Sequence, residues 1–257
     1  MKKWQKINMG CFLFLALFSS ILFYVAGKTS MSTVFEKPWH LQPSVHEDSL
    51  TQTYMDNYTI FGKRRLHLQV ADSSRTKVII LVDAWGVSIQ EHLLAEEFAV
   101  FTDIPHEFAL HRRLANRTKH AEKTEYRETL PPNFYLFGGD STEYERTAYV
   151  REIGFSDALF CQRCTDSVML GKLDSLLSVD SLKTIAWTTQ STRSGDRDSL
   201  LHSLRQIASL VKRNPRVLFV VQGTHRPILG SPETRNSYKA HWVPAVILNN
   251  REQGVND

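Results

Sequence analysis

Short, nearly unbroken apolar runs recur along this chain, and they limit what it can fold into more than any other feature. The first, VIILV at residues 78–82, follows Thr76 and Lys77, and similar runs lie at residues 134–137, 184–187, 217–221 and 243–248. An apolar run without polar alternation is what a strand covered on both faces requires. Between the runs lie stretches of helical character. Residues 142–153 carry mixed charge, residues 167–177 space apolar side chains at helical intervals, and DSLLHSLRQIASLV at 198–211 is amphipathic. Strands alternating with helices predict an α/β domain, its mostly parallel sheet flanked by helices. This domain is expected over residues 76–257. Residues 28–75, with Pro38, Pro43 and polar clusters, read as a tether and an irregular lead-in.

The N-terminus carries a different signal. Lys2, Lys3 and Lys6 precede GCFLFLALFSSILFYVAG at residues 10–27, which holds no charge. A bilayer core about 30 Å thick takes roughly 17–25 helical residues, and a secretory core is shorter, so residues 1–27 read as a retained single-pass anchor. A cleaved signal is the competing reading. The positive-inside rule then places all that follows on the periplasmic or extracytoplasmic side. The formal charge of +4 comes largely from this segment: without its three lysines, 28 basic residues face 27 acidic ones. A near-neutral exported domain argues against a nucleic-acid partner. Cys161 and Cys164, the cysteines outside the apolar segment, are too few for a four-cysteine zinc site. In an oxidising compartment they read as a local disulfide or two buried thiols.

Ligands of an open parallel sheet gather beyond the carboxyl ends of its strands. The first apolar run ends in Asp83, and the run at 217–221 leads through Gln222, Gly223 and Thr224 to His225. Alone, Asp83 reads equally as a turn or capping residue and His225 as a loop histidine. Together, a carboxylate and an imidazole at two strand ends suit Zn²⁺ or Mn²⁺.

At this point the chain resembles a known family. VIILVDAWG at 78–86 is similar to the opening strand and first metal ligand of the alkaline phosphatase/sulfatase superfamily. NRTKHAE at 116–122 resembles the nucleophile segment of its lipoteichoic acid synthase and phosphoethanolamine transferase branch, where a threonine attacks. YLFGGDSTEYER at 135–146, followed by IGFSD at 153–157, resembles that branch's glycine-rich segment, with its aromatic and arginine. Residues 219–230 and HWVP at 241–244 look like its "DHG" strand end and "VP" strand. The resemblance runs in order over roughly residues 77–249. It implies an alkaline-phosphatase-like fold in which Asp83 and His225 hold a divalent metal, Thr118 is the nucleophile and Arg146 grips the phosphate. It also implies an envelope phosphoester, lipid headgroup or glycan as substrate.

Two departures accompany it. Thr224 stands where the pattern has an aspartate, and the segment expected to carry a further histidine, WTTQST at 187–192, has none. The implied ligand set is therefore incomplete. Two readings follow from the resemblance. One is a metal-dependent hydrolase or transferase acting on phosphate or sulfate esters. The other is a degenerate member serving as an envelope binding or scaffold protein. An unrelated α/β domain whose strand ends imitate the pattern is the third reading.

Overall fold

Each residue of the strand at 77–82 sends its side chain to the opposite side from its neighbour. Val78, Ile80 and Val82 join one core cluster, and Ile79 and Leu81 join another, so the run is apolar throughout because both faces are covered. The computed structural model describes residues 49–62, 65–70, 74–113, 117–139, 146–229 and 231–249.

In chain order the elements are α1 (Gln52–Asn57), β1 (Thr59–Phe61), α2 (Leu66–Gln69), β2 (Lys77–Val82), α3 (Glu91–Ala99) and β3 (His106–Arg112). Then come α4 (Thr118–Glu125), β4 (Asn133–Phe137), α5 (Arg146–Glu152), β5 (Asp157–Phe160), α6 (Asp166–Leu177) and β6 (Thr184–Thr188). The last are α7 (Arg197–Arg213), β7 (Leu218–Gly223), α8 (Pro232–Asn236) and β8 (Trp242–Leu248). The strands form one eight-stranded sheet in the order β1-β3-β8-β7-β2-β6-β4-β5. All pairings are parallel except those of β8, which runs antiparallel to both β3 and β7. The sheet is thus mixed, with a parallel majority.

One face of the sheet is covered by α1, α3, α6 and α7, the other by α2, α4 and α5. α7 shows how the pattern sets the packing. Asp196 caps it by accepting from the Ser199 N–H at 2.8 Å, and Leu200, Leu204, Ile207, Leu210 and Val211 are buried at helical spacing. Five such side chains contribute roughly 8–15 kcal/mol of apolar burial before the entropy of ordering is counted.

The predicted start of the folded part at residue 76 falls inside the domain. β1 pairs in register with β3, Ile60 opposite Leu110, and Tyr54 of α1 is buried, its hydroxyl donating to the Ser88 carbonyl at 2.5 Å. Polar composition masked these short elements because only one side of each meets the core. Cys161 and Cys164 form a disulfide. The expected anchor at 1–27 lies outside the described residues. Among the described residues no helix is long and apolar enough to cross a membrane.

Candidate active site at the carboxyl edge of the sheet

The register of the central strands builds the site. Val82 of β2 lies opposite Gly223 of β7, so Asp83 emerges beside Thr224. On the other flank Leu81 lies opposite Thr188 of β6, which brings Thr189 alongside. The loops after β2 and β7 then pack backbone to backbone. A Cβ on Gly223 would lie 1.8 Å from the Trp85 carbonyl oxygen, and one on Gly86 would lie 2.6 Å from the Cα of Arg226. Only glycine fits either place. Ala84 takes the left-handed conformation (φ 55°), turning the chain sharply away from the strand end. β3, parallel in sense to β2, ends at the same edge and is followed by α4, whose first residue is Thr118.

Asp83 is 1% exposed and surrounded by donors. Its Oδ1 accepts from the Thr118 hydroxyl at 2.7 Å, the Thr224 hydroxyl at 2.9 Å and the Ala84 N–H at 3.2 Å. Its Oδ2 accepts from Arg193 Nε at 3.3 Å. The backbone around it is held as well, because the Asp83 N–H donates to Thr189 Oγ1 at 3.0 Å and the Ala84 N–H also reaches Thr224 Oγ1 at 3.1 Å. His225 is buried beside the carboxylate, with Nε2 at 3.4 Å from Asp83 Oδ1 and 3.2 Å from Thr118 Oγ1. Its Nδ1 lies 2.7 Å from the Arg226 carbonyl, an acceptor only, so Nδ1 carries the proton. That hydrogen bond leaves the Nε2 lone pair facing Thr118 in the neutral ring. Thr118 is partly exposed, at the N-terminus of a helix, where backbone N–H groups and the helix dipole favour an anion.

Asp83, Thr118 and His225, read from sequence at one sheet edge, are brought together. Arg146 is not placed with them. It is fully buried, its Nη1 2.6 Å from Glu122 Oε1 and its guanidinium 3.5 Å from the centre of the Phe137 ring. Tyr135 bonds both Arg146 and Glu122, and Tyr149 bonds Glu122. A guanidinium without solvent access is a poor grip for an incoming phosphate. The structure gives Arg146 to the underside of α4.

Arg193, Thr189 and the bonding role of Thr224 were not read from sequence. The signal was available, since the strand-end rule applies to β6 as much as to β2 and β7, and Thr189 to Arg193 follow β6 directly.

The donor set does not suit a divalent cation. A metal needs strong ligands converging on one point, and here one carboxylate and one imidazole are joined by neutral hydroxyls. Oδ1 already takes three hydrogen bonds, and Oδ2 faces Arg193. A dication about 4 Å from a guanidinium meets a repulsion of about 8 kcal/mol at an effective dielectric near 20. Among the described residues no group of three or more His, Cys, Asp or Glu side chains is placed to hold a metal. Among the described residues Asp83 and His225, expected as metal ligands, stand in an ion-paired, hydrogen-bonded arrangement.

No family model matches the sequence, and no curated protein matches it. Solved structures do. A protein of the alkaline phosphatase superfamily from Vibrio parahaemolyticus superposes with a TM-score of 0.52 at 12% identity, over 73% of this chain and 60% of that one. The fold is alkaline-phosphatase-like. The C-terminal periplasmic domain of EcEptC from Escherichia coli gives a TM-score of 0.50 at 10% identity, over 70% of this chain and 74% of that domain. The same domain in complex with Zn gives 0.50 at 9%. This alkaline-phosphatase-like chain spans less than two thirds of the Vibrio protein.

Proposed function

We propose that the protein acts on phosphate esters of the cell envelope, lipid headgroups or glycans among them, through a nucleophilic Thr118. Residues 1–27 would anchor it and hold its domain on the extracytoplasmic side. The observation that carries the reading is the position of Thr118 Oγ1, 2.7 Å from Asp83 Oδ1 and 3.2 Å from His225 Nε2 at the start of α4. A hydroxyl between a carboxylate and an imidazole lone pair has two acceptors for its proton.

The chemistry follows from that placement. As Oγ1 attacks phosphorus, its proton passes to His225 Nε2, and Asp83 stabilises the imidazolium. The ester P–O bond breaks, and the departing alkoxide takes the proton from His225. A phosphothreonine remains at 118. Water or an acceptor alcohol, deprotonated by the same imidazole, then attacks this phosphorus, the Thr118 Oγ1–P bond breaks, and Oγ1 takes that proton back from His225. General-base assistance of this kind contributes about 10²- to 10⁴-fold.

One observation favours the alternative, a binding or scaffold protein without turnover: Asp83 is fully engaged by its neighbours. A single experiment separates the two. The full-length protein in detergent is incubated with an aryl phosphate and with an aryl phosphodiester, following phenol release and phosphorylation by mass spectrometry. The expected result is turnover with phosphate carried on Thr118, both abolished in Thr118→Ala. Turnover unchanged in Thr118→Ala refutes the mechanism, and absence of turnover in the wild type leaves the binding reading.

A further inference from the structure

We infer that the positive charge of this site is the Arg193 guanidinium rather than a divalent metal ion, and that Arg193 is the residue that grips the substrate's phosphate oxygens. The inference deepens the reading of this edge as a phosphate-ester site and rests on it.

Three observations lead there. Arg193 Nε bonds Asp83 Oδ2 at 3.3 Å, so a cation already sits on the one carboxylate that the described residues bring to the cluster. The loop that carries it is fixed from both sides. The Thr189 N–H continues the ladder to the Leu81 carbonyl at 2.9 Å, the Thr189 and Thr192 hydroxyls lie 2.9 Å apart, and the Arg193 N–H closes a turn onto the Gln190 carbonyl at 3.2 Å. Asp166 holds the same loop from outside, accepting the Gln190 and Ser191 N–H groups at 2.9 Å each. Finally, the Arg193 side chain is 38% exposed where Asp83 is 1% exposed. The carboxylate anchors the guanidinium from beneath, and the guanidinium meets solvent.

This arrangement divides the labour among three groups. Asp83 orients Arg193 and Thr118 at once, since both bond it, one through each carboxylate oxygen. A phosphate dianion approaching Thr118 therefore comes to a guanidinium tied to the same side chain as the attacking hydroxyl. Arginine matches phosphate geometry and stays charged at any working pH, which a metal held by two strong ligands does not ensure. The buried Arg146 is not available for this contact, being enclosed with Glu122.

Binding of phenylphosphonate, which has no ester P–O bond to break, to the full-length protein, measured by calorimetry in excess EDTA and again with added zinc, tests the inference. Equal affinity in the two conditions is expected. Arg193→Gln should weaken binding about 10- to 100-fold, the loss expected when a charge-assisted hydrogen bond is removed. Arg193→Lys, which keeps the charge, should recover part of it. Binding lost in EDTA and restored by zinc overturns the inference, as does wild-type affinity in a folded Arg193→Gln protein. The EDTA comparison uses the wild type alone and so stands even if the variants do not fold. Binding reads Arg193 whether or not Thr118 turns over an ester, so failure of the nucleophile mechanism and failure of this inference give different results.

Discussion

Gly223 and Trp85 touch through their backbones: the Gly223 Cα lies so near the Trp85 carbonyl that a Cβ there would sit 1.8 Å from the oxygen. This contact sets the spacing between the strand ends that carry Asp83 and His225. Gly223→Ala must push the two loops apart, and overpacking a tight site costs about 3 kcal/mol or more. Urea unfolding should register that loss. Phenylphosphonate binding by the protein that remains folded should fall as well, because separating the loops separates Asp83 from His225. A wild-type midpoint in Gly223→Ala would show that the loops yield freely.

The buried pair beneath α4 makes a separate prediction. Arg146 and Glu122 are both 0% exposed and 2.6 Å apart, and Glu122 lies one turn along α4 from Thr118. Arg146→Met strands a carboxylate in the interior and should cost about 3–5 kcal/mol in urea unfolding. The double variant Arg146→Met with Glu122→Leu removes both charges and should regain much of that loss. A double variant no better than the single one would mean that the tyrosine network, not the ion pair, carries the stability.

What the sequence disclosed follows from where each segment packs. β2, β6 and β7 are covered on both faces, so their apolar runs are unbroken and visible. β3, with the sequence HEFALHR, buries only Ala109, Leu110 and His111, between half-buried or exposed residues on one side and the exposed Arg112 on the other, so it carries no run of its own. α4 is hidden by its composition, since TKHAEKTE buries Glu122 and Glu125 where a helix face would ordinarily show leucines. The partners that make those burials tolerable are remote: Arg146 for Glu122, and Arg113, 3.0 Å away, for Glu125. The same remoteness hid Arg193. Its bond to Asp83 joins residues 110 positions apart, and a single arginine in a polar loop has no periodicity to betray it.

Glu97 should make stability depend on pH near neutrality. Burial pushes its carboxyl up to about 7 from the ordinary 4.5, against the pull of the Trp85 and Arg197 hydrogen bonds. Below 4.5 the folded and unfolded chains both hold this proton. Between 4.5 and about 7 only the folded chain keeps it, so the stability it contributes is lost as pH rises through that window. The loss is on the order of 3 kcal/mol. Glu125, held down to about 2 because Arg113, His67, His111 and Gln222 outweigh its burial, stays ionised throughout and adds no slope there. Urea unfolding at pH 5 and pH 8 should show the decline in the wild type and a much flatter profile in Glu97→Gln. Parallel profiles in the two proteins would assign the slope to other groups.

Thr224→Asp asks whether one residue separates this site from a metal site. The Thr224 hydroxyl donates to Asp83 Oδ1 at 2.9 Å, so an aspartate there sets a second carboxylate against the first. Two carboxylates that close do not both ionise cheaply without a cation, and Arg193 supplies a single charge. Without metal, the variant should melt below the wild type at pH 8 and recover towards pH 5, where the pair shares a proton. With zinc, the two carboxylates and His225 Nε2 form a three-ligand set, and the melting temperature of the variant should rise. Zinc at 100 times its dissociation constant stabilises by about 2.7 kcal/mol, a shift that thermal unfolding resolves. The wild type should show no such rise, because the Asp83 carboxylate is already bonded to Thr118, Thr224, Ala84 and Arg193. An equal rise in the wild type would mean that Asp83 and His225 suffice for the metal and that Arg193 moves aside for it. No rise in either protein would mean that Arg193 holds its place even against two carboxylates' worth of affinity for zinc, and Arg193→Gln combined with Thr224→Asp should then restore the effect.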